Sequence, residues 1–281
     1  MNSFELKLRE KLEDRRDLTY AEFVAKGIPG FPPEYFLGVR VPEIRLVADE
    51  MLMLVFGEKR WSSELTVGKN AGVDMELYHG MNNFLQDLPH SFLEYDYAHV
   101  EIISQMNNFS ECKIEVEKFL PFVRNWAVCD CFNPKVFKRN LDEVLLLCLK
   151  WLQSERAFTV RYGVVMMMRY FLDERFAPDF LVKVCECVDR EFPEMVGEDR
   201  RDLGEINKSS GKKSTETGQY YVEMAVAWYL ATALFKQWEA ALEILTEERL
   251  PVAVHNKAIQ KAIESRRISP ERKEFLRGIK R

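Results

Sequence analysis

The chain has 281 residues, 47% of them hydrophobic and 30% charged, with a formal net charge of −5. These totals suit a folded globular protein, exclude a disordered chain and exclude a uniformly basic nucleic-acid binder. Residues 1–20 are charged and amphipathic, and no run of about 18 apolar residues occurs, so the expectation is neither a signal peptide nor a membrane span.

Taken in order, the pattern is helix after helix with almost no period-2 alternation. Residues 4–15 form a first amphipathic helix, and Thr19 can cap a second that runs to about Lys26. The connector Gly27-Ile28-Pro29-Gly30-Phe31-Pro32-Pro33 ends it. Pro42 then stands at the first turn of a helix running to about Phe56. Residues 61–88 read as one or two helices broken at Asn70-Ala71-Gly72. Residues 94–108 are helical, Ser110 caps the next helix, and Pro121 interrupts it. A short helix over residues 125–133 follows, and Pro134 restarts the chain.

Residues 141–152 make a strongly apolar helix. Residues 157–171 and 220–235 are apolar nearly all round, which fits helices covered by neighbours on both sides. One helix is expected over residues 176–190, and the last three near residues 238–246, 252–265 and 270–280. Residues 191–218, with the polar run 207–215, read as a long mobile loop insertion. About a dozen helices joined by short turns match the helix-pair solenoid class, so the expected fold is all-α, one domain over residues 1–281.

Several chemistries lack their residues. No phosphate loop, dinucleotide fingerprint, nucleophile elbow or H-E-x-x-H is present, and the four histidines, His79, His90, His99 and His255, do not cluster. Six cysteines include two C-x-C pairs, a spacing that zinc sites do not use, so buried free thiols and no metal are expected.

Charge is uneven. Residues 255–281 carry nine Lys/Arg against three Glu, a local +6 that can mark a phosphate-facing surface or a solvated helix pair. Arg40, Arg45, Arg124, Lys135, Lys138, Arg139, Lys212 and Lys213 could extend such a face. Arg161 is nearly alone in its apolar helix. A buried guanidinium needs a partner, such as Glu155 or Asp130, or a cleft in which it clamps phosphate. In Arg124-Asn125-Trp126-Ala127-Val128-Cys129-Asp130, the indole and the carboxylate fall one helical turn apart. That is either ordinary amphipathic packing or a device for a cationic target.

Five segments carry a resemblance: Gly38-Val39-x-x-Pro42-x-x-Arg45, Asn125 to Asp130, Arg161-Tyr162-Gly163-Val164-Val165-Met166, Tyr220-Tyr221-Val222-x-Met224-Ala225-Val226-Ala227-Trp228, and Asn256-Lys257-Ala258-Ile259-Gln260-Lys261. Together they resemble the bacterial DNA alkylation-repair glycosylases built from HEAT-like helical repeats. The resemblance implies an α-α superhelix whose concave face cradles duplex DNA, and hydrolysis of the N-glycosidic bond of 3-methyladenine and 7-methylguanine without a base-flipping pocket. Trp126, Asp130 and Trp228 would face the sugar of the damaged nucleotide. Arg161 would contact phosphate, with Arg45, Lys135, Lys257 and Lys261 on the DNA-binding surface. No cofactor is required, because the alkylated base is already cationic and leaves without a proton donor. A monomer in the cytoplasm, associated with the nucleoid, is implied. The family's amino-terminal tyrosine would fall near Tyr20-Ala21-Glu22-Phe23, at Phe23 or at no residue. The alternative is a non-catalytic module of the same scaffold that binds branched or distorted DNA or a protein.

Overall fold

A computed structural model describes residues 1–57, 72–192 and 217–281. The expected helical stretch at residues 61–71 and most of the 191–218 insertion, with Lys212 and Lys213, lie outside the described residues. Among the described residues the chain is all-α, with fourteen α-helices, four short 3-10 helices and no strand. None of these helices is long and apolar enough to cross a membrane. The described residues fall into two compact units, one ending at Asn140 and the other beginning at Leu141.

The first unit holds α1 (Ser3–Glu13), α2 (Leu18–Gly27), α3 (Val41–Phe56), α4 (Met75–Gln86), α5 (Leu93–Ser104), α6 (Phe109–Phe119) and α7 (Trp126–Cys131). Helix α3 packs on α1, α4 and α5, and α5 also meets α6 and α7. Side-chain caps set several starts. Asn2 and Glu5 form a reciprocal capping box at α1, and Asn125 caps α7 through Val128 N. Two expected caps are corrected by two residues. Asp17 rather than Thr19 caps α2, and Asn108 rather than Ser110 caps α6, since each carboxylate or amide oxygen reaches the third backbone N–H of its helix. Pro42 does open α3 at its first turn.

The second unit holds α8 (Leu141–Leu152), α9 (Ala157–Tyr170), α10 (Pro178–Cys185), α11 (Gly218–Lys236), α12 (Trp238–Thr246), α13 (Val252–Glu264) and α14 (Pro270–Gly278). Helix α9 lies between α8 and α11, and α11 packs on α9, α12 and α13. Being covered on both sides is why these two helices are apolar nearly all round. The single helix expected at residues 176–190 is α10 followed by a 3-10 turn, Glu186–Asp189. Gly163 lets α9 approach α8 closely. A Cβ there would stand 3.2 Å from Leu152 N.

Five of the six cysteines are buried and all are free. Burial pushes the Cys112, Cys185 and Cys187 thiols up to about 12.

Gly38 is the tightest point of the first unit. Its φ is +85°, and an added Cβ would fall 2.0 Å from Asp17 O and 2.9 Å from Ala21 N. Both neighbours are backbone at the start of α2, so neither can rotate away. Gly30, at φ +93°, has open space around it. Gly38→Ala is therefore expected to lose at least ~3 kcal/mol in urea unfolding, against about 1 kcal/mol for Gly30→Ala, which meets only the backbone penalty. Equal losses would show that the close approach to α2 is not what matters.

Candidate functional site

Helix α7 carries the central pair. It is one and a half turns long, starts at Trp126 directly after its cap Asn125, and stops at Cys131. Ala127, Val128 and Cys129 face the core, so Trp126 and Asp130 share the outward side. The Trp126 indole Nε1 donates to Gly27 O, at the end of α2, at 2.9 Å, while the side chain stays 38% exposed. One edge is tethered while part of the residue stays accessible. Asp130 is half-buried.

Arg45 of α3 lies in the same neighbourhood. Its Nε donates to Glu101 at 2.8 Å, which raises its pKa, and the ionisable groups of Cys131 and Tyr97 add to the effect. Tyr97 of α5 is raised mainly by burial, then by Cys131, Tyr20, Glu94 and Asp130. Arg45, Tyr97, Cys131 and Asp130 are thus electrostatic neighbours on α3, α5 and α7, with α5 packed on each of the other two. Sequence reading overlooked Tyr97, because the groups it meets lie on other helices and nothing in its own helix points to them. Tyr20 is covered by the Arg40 guanidinium, 4.3 Å from its ring centroid, and Arg40 also pairs with Asp17 at 3.3 Å. Phe23 is largely exposed and stacks on Tyr20. Lys135, in the 3-10 helix Lys135–Arg139, is exposed.

Arg124 does not extend a basic surface. Its Nη2 donates to His90 O at 2.8 Å and stands 3.6 Å from Asp96, and its plane lies over the Phe31 and Tyr35 rings. Asp96 accepts a 2.5 Å hydrogen bond from Tyr35 Oη, and burial raises its carboxyl to about 7 despite Arg124. Glu94, one turn-half away on α5, accepts from the backbone N–H groups of Leu37, Gly38 and Val39 at 3.0, 2.8 and 3.2 Å. Burial raises its pKa against the pull of those donors. These two acids are too deep to meet a substrate, and they hold the connector before α3. The signal for them was faint, since acidic residues in the first turn of a helix ordinarily serve only its N-terminus.

The histidines correct a second expectation, because His90 and His99 pair through Nε2 and Nδ1 at 2.9 Å. Their rings stack on Phe84 and Phe119.

In the second unit, Trp228 of α11 is exposed at 37%. Arg161 is buried, and its Nη1 donates to Tyr221 O at 2.9 Å, so a backbone carbonyl of α11 is among the partners that a buried guanidinium needs. Lys257 is exposed and Lys261 half-buried on α13. The candidate residues therefore divide, with Trp126, Asp130, Arg45 and Lys135 in the first unit and Arg161, Trp228, Lys257 and Lys261 in the second. Among the described residues, no group of three or more His, Cys, Asp or Glu is arranged to hold a metal ion.

An all-helical scaffold with an outward Trp–Asp pair and scattered surface cations defines the class to which the comparison speaks. Residues 79–192, rather less than half of the chain, match the model of the family described as DNA alkylation repair enzyme. The matched stretch includes α7 with Trp126 and Asp130, and α9 with Arg161. A comparison with curated proteins finds no match.

Burial lowers His90 to about 3, with Arg124 adding to the shift. A histidine so depressed favours folding above its ordinary value near 6.5 and loses that contribution as the pH falls from there toward 3. Between about pH 6 and about pH 5 it accounts for roughly 1 kcal/mol of lost stability. Unfolding curves of His90→Gln at the two pH values should show a loss smaller than wild type's by about that amount. An unchanged pH dependence would mean that His90 already takes up its proton in the folded state.

Proposed function

We propose that the protein is a DNA glycosylase that hydrolyses the N-glycosidic bond of cationic alkylated purines, 3-methyladenine and 7-methylguanine, in duplex DNA. What carries the reading is the Trp126–Asp130 pair, one turn apart on the outward side of α7, inside the stretch that matches the alkylation-repair family. In this reading residues 1–281 act as one HEAT-like helical-repeat domain with a concave DNA-binding face, monomeric and cytoplasmic.

The chemistry asks little of the protein. The alkylated base carries a positive charge before the reaction, so breaking the bond from C1′ to the base nitrogen returns the electron pair to the ring and releases a neutral base. Positive charge moves to the sugar as the bond stretches. Asp130 stabilises that charge and accepts a hydrogen bond from the water whose oxygen bonds to C1′, and the water's proton passes to the carboxylate and on to solvent. Trp126 offers a ring face to the same sugar, and its tether to Gly27 O holds the ring in place. Trp228 is the second indole. Arg161 contacts a backbone phosphate drawn close to α9, and Arg45, Lys135, Lys257 and Lys261 supply further cations to the DNA. Arg45, whose side chain is half exposed, can turn to a phosphate by giving up its pair with Glu101.

The test is release of methylated bases from methylated duplex DNA. Wild type should release both bases, Asp130→Asn should be slower by at least about 100-fold, and duplex affinity should change little. Equal release by the two proteins would remove Asp130 from the chemistry. No release by wild type, with DNA binding retained, would favour the non-catalytic scaffold that binds branched or distorted DNA.

A further inference from the structure

The outward face of α11 does not end at Trp228. Phe235 is seven residues on, hence on the same side and about 10 Å further along the axis, and it too is exposed. Arg267, in the link between α13 and α14, lies over the Phe235 ring at 5.5 Å. Beside it, Arg272 of α14 lies over the Trp238 ring at 4.4 Å, and the exposed Phe275 meets Trp238 edge-on at 6.4 Å. Two guanidinium groups thus lie over two aromatic rings, with a third ring against the second of them, and Phe235 and Trp238 are only three residues apart where α11 gives way to α12.

Ion pairing engages some cations of this segment and leaves others out. In the same segment Arg277 pairs with Glu274 and Arg281 with Glu248. Arg267 and Arg272 have no carboxylate partner among the described residues, and they belong to the stretch carrying nine Lys/Arg against three Glu. A guanidinium stacked on a ring keeps its N–H edge free to donate, and its planar fork matches phosphate. An acidic peptide would satisfy the charges but would leave exposed aromatic rings without a use. Unpaired bases use both, with rings stacking on rings while the backbone meets the arginines. A duplex keeps its bases inside and cannot.

We infer that the surface formed by Phe235, Trp238, Phe275, Arg267 and Arg272 binds single-stranded nucleic acid. It is a second nucleic-acid site, independent of Asp130 and of any glycosylase activity, and it continues the α11 face that presents Trp228. In a DNA-repair setting it would hold an unpaired strand.

The experiment is fluorescence anisotropy of the full-length protein with a labelled oligothymidine, beside an unmodified duplex and inorganic polyphosphate as a charge-only probe. Wild type should bind oligothymidine, and the Arg267→Glu/Arg272→Glu variant should bind both it and polyphosphate at least about tenfold more weakly. Phe275→Ala should weaken oligothymidine several-fold and leave polyphosphate and the duplex unchanged. Phe275 is on the surface, and circular dichroism would verify that the variants fold. No binding of oligothymidine by wild type, or equal loss of both ligands in Phe275→Ala, would overturn the inference. So would a wild-type dimer in sedimentation that Phe275→Ala dissociates, because the patch would then serve a second copy of the chain. Methylated-base release is read separately in the same variants, so absence of glycosylase activity leaves the anisotropy result decisive.

Discussion

Glu94 stands inside α5 with its carboxylate turned onto three successive N–H groups, those of Leu37, Gly38 and Val39, and the placement of Trp126 descends from that contact. A connector rich in Pro and Gly cannot satisfy its own backbone donors, and burying them unpaired would cost more than the carboxylate's desolvation. The clamp fixes Gly38 in a left-handed turn pressed on the first residues of α2. Helix α2 is thereby held at its first turn, by the Gly38 turn packed on it and by the cap Asp17. Its last carbonyl, Gly27 O, is then available as a fixed acceptor for the Trp126 indole. A buried acid in one helix thus orients an exposed ring in another through an intervening loop. Tyr35, Asp96 and Arg124 do the same for the middle of that loop, with the two aromatic rings covering the guanidinium.

Much of the helical order was legible because its signals are local. The starts at Pro42 and Pro270, the helix at Leu141–Leu152, and the all-round apolar runs of α9 and α11 need only neighbouring residues to be read. Thr19 and Ser110 failed as caps for a local reason too. An Asx residue stood two positions earlier in each case, and its oxygen reached the third N–H first. The inner polar network was not legible, since the partners of Glu94 are 55 to 57 residues away and that of Asp96 is 61 away. Arg161 shows the same limit in milder form. Spacing showed that it needed partners, but only the packing of α9 on α11 brings the Tyr221 carbonyl to it.

For the candidate site, sequence gave the residue types and their spacing, and the structure adds exposure and tethering. A Trp–Asp pair at one turn is commonplace until the core-facing residues between them are known to be Ala127, Val128 and Cys129. The neighbourhood of Tyr97, Arg45 and Cys131 depends on α5 packing on both α3 and α7, and no periodicity within one helix announces it.

Charge links the two nucleic-acid readings. A chain with net charge −5 meets DNA only where cations are concentrated or released from acids. In the first unit Arg40, Arg45 and Arg124 are already engaged with Asp17, Glu101 and Asp96, so any phosphate there must displace a carboxylate or rely on exposed residues such as Lys135. Displacement is cheap for the exposed pairs and expensive for Arg124, whose partners are buried. In the second unit Arg267 and Arg272 lean on aromatic faces instead, which orients them without neutralising them. Stacking therefore keeps cationic charge available on this surface where ion pairing would have cancelled it, and it brings together the two groups, ring and guanidinium, that an unpaired nucleotide engages at once.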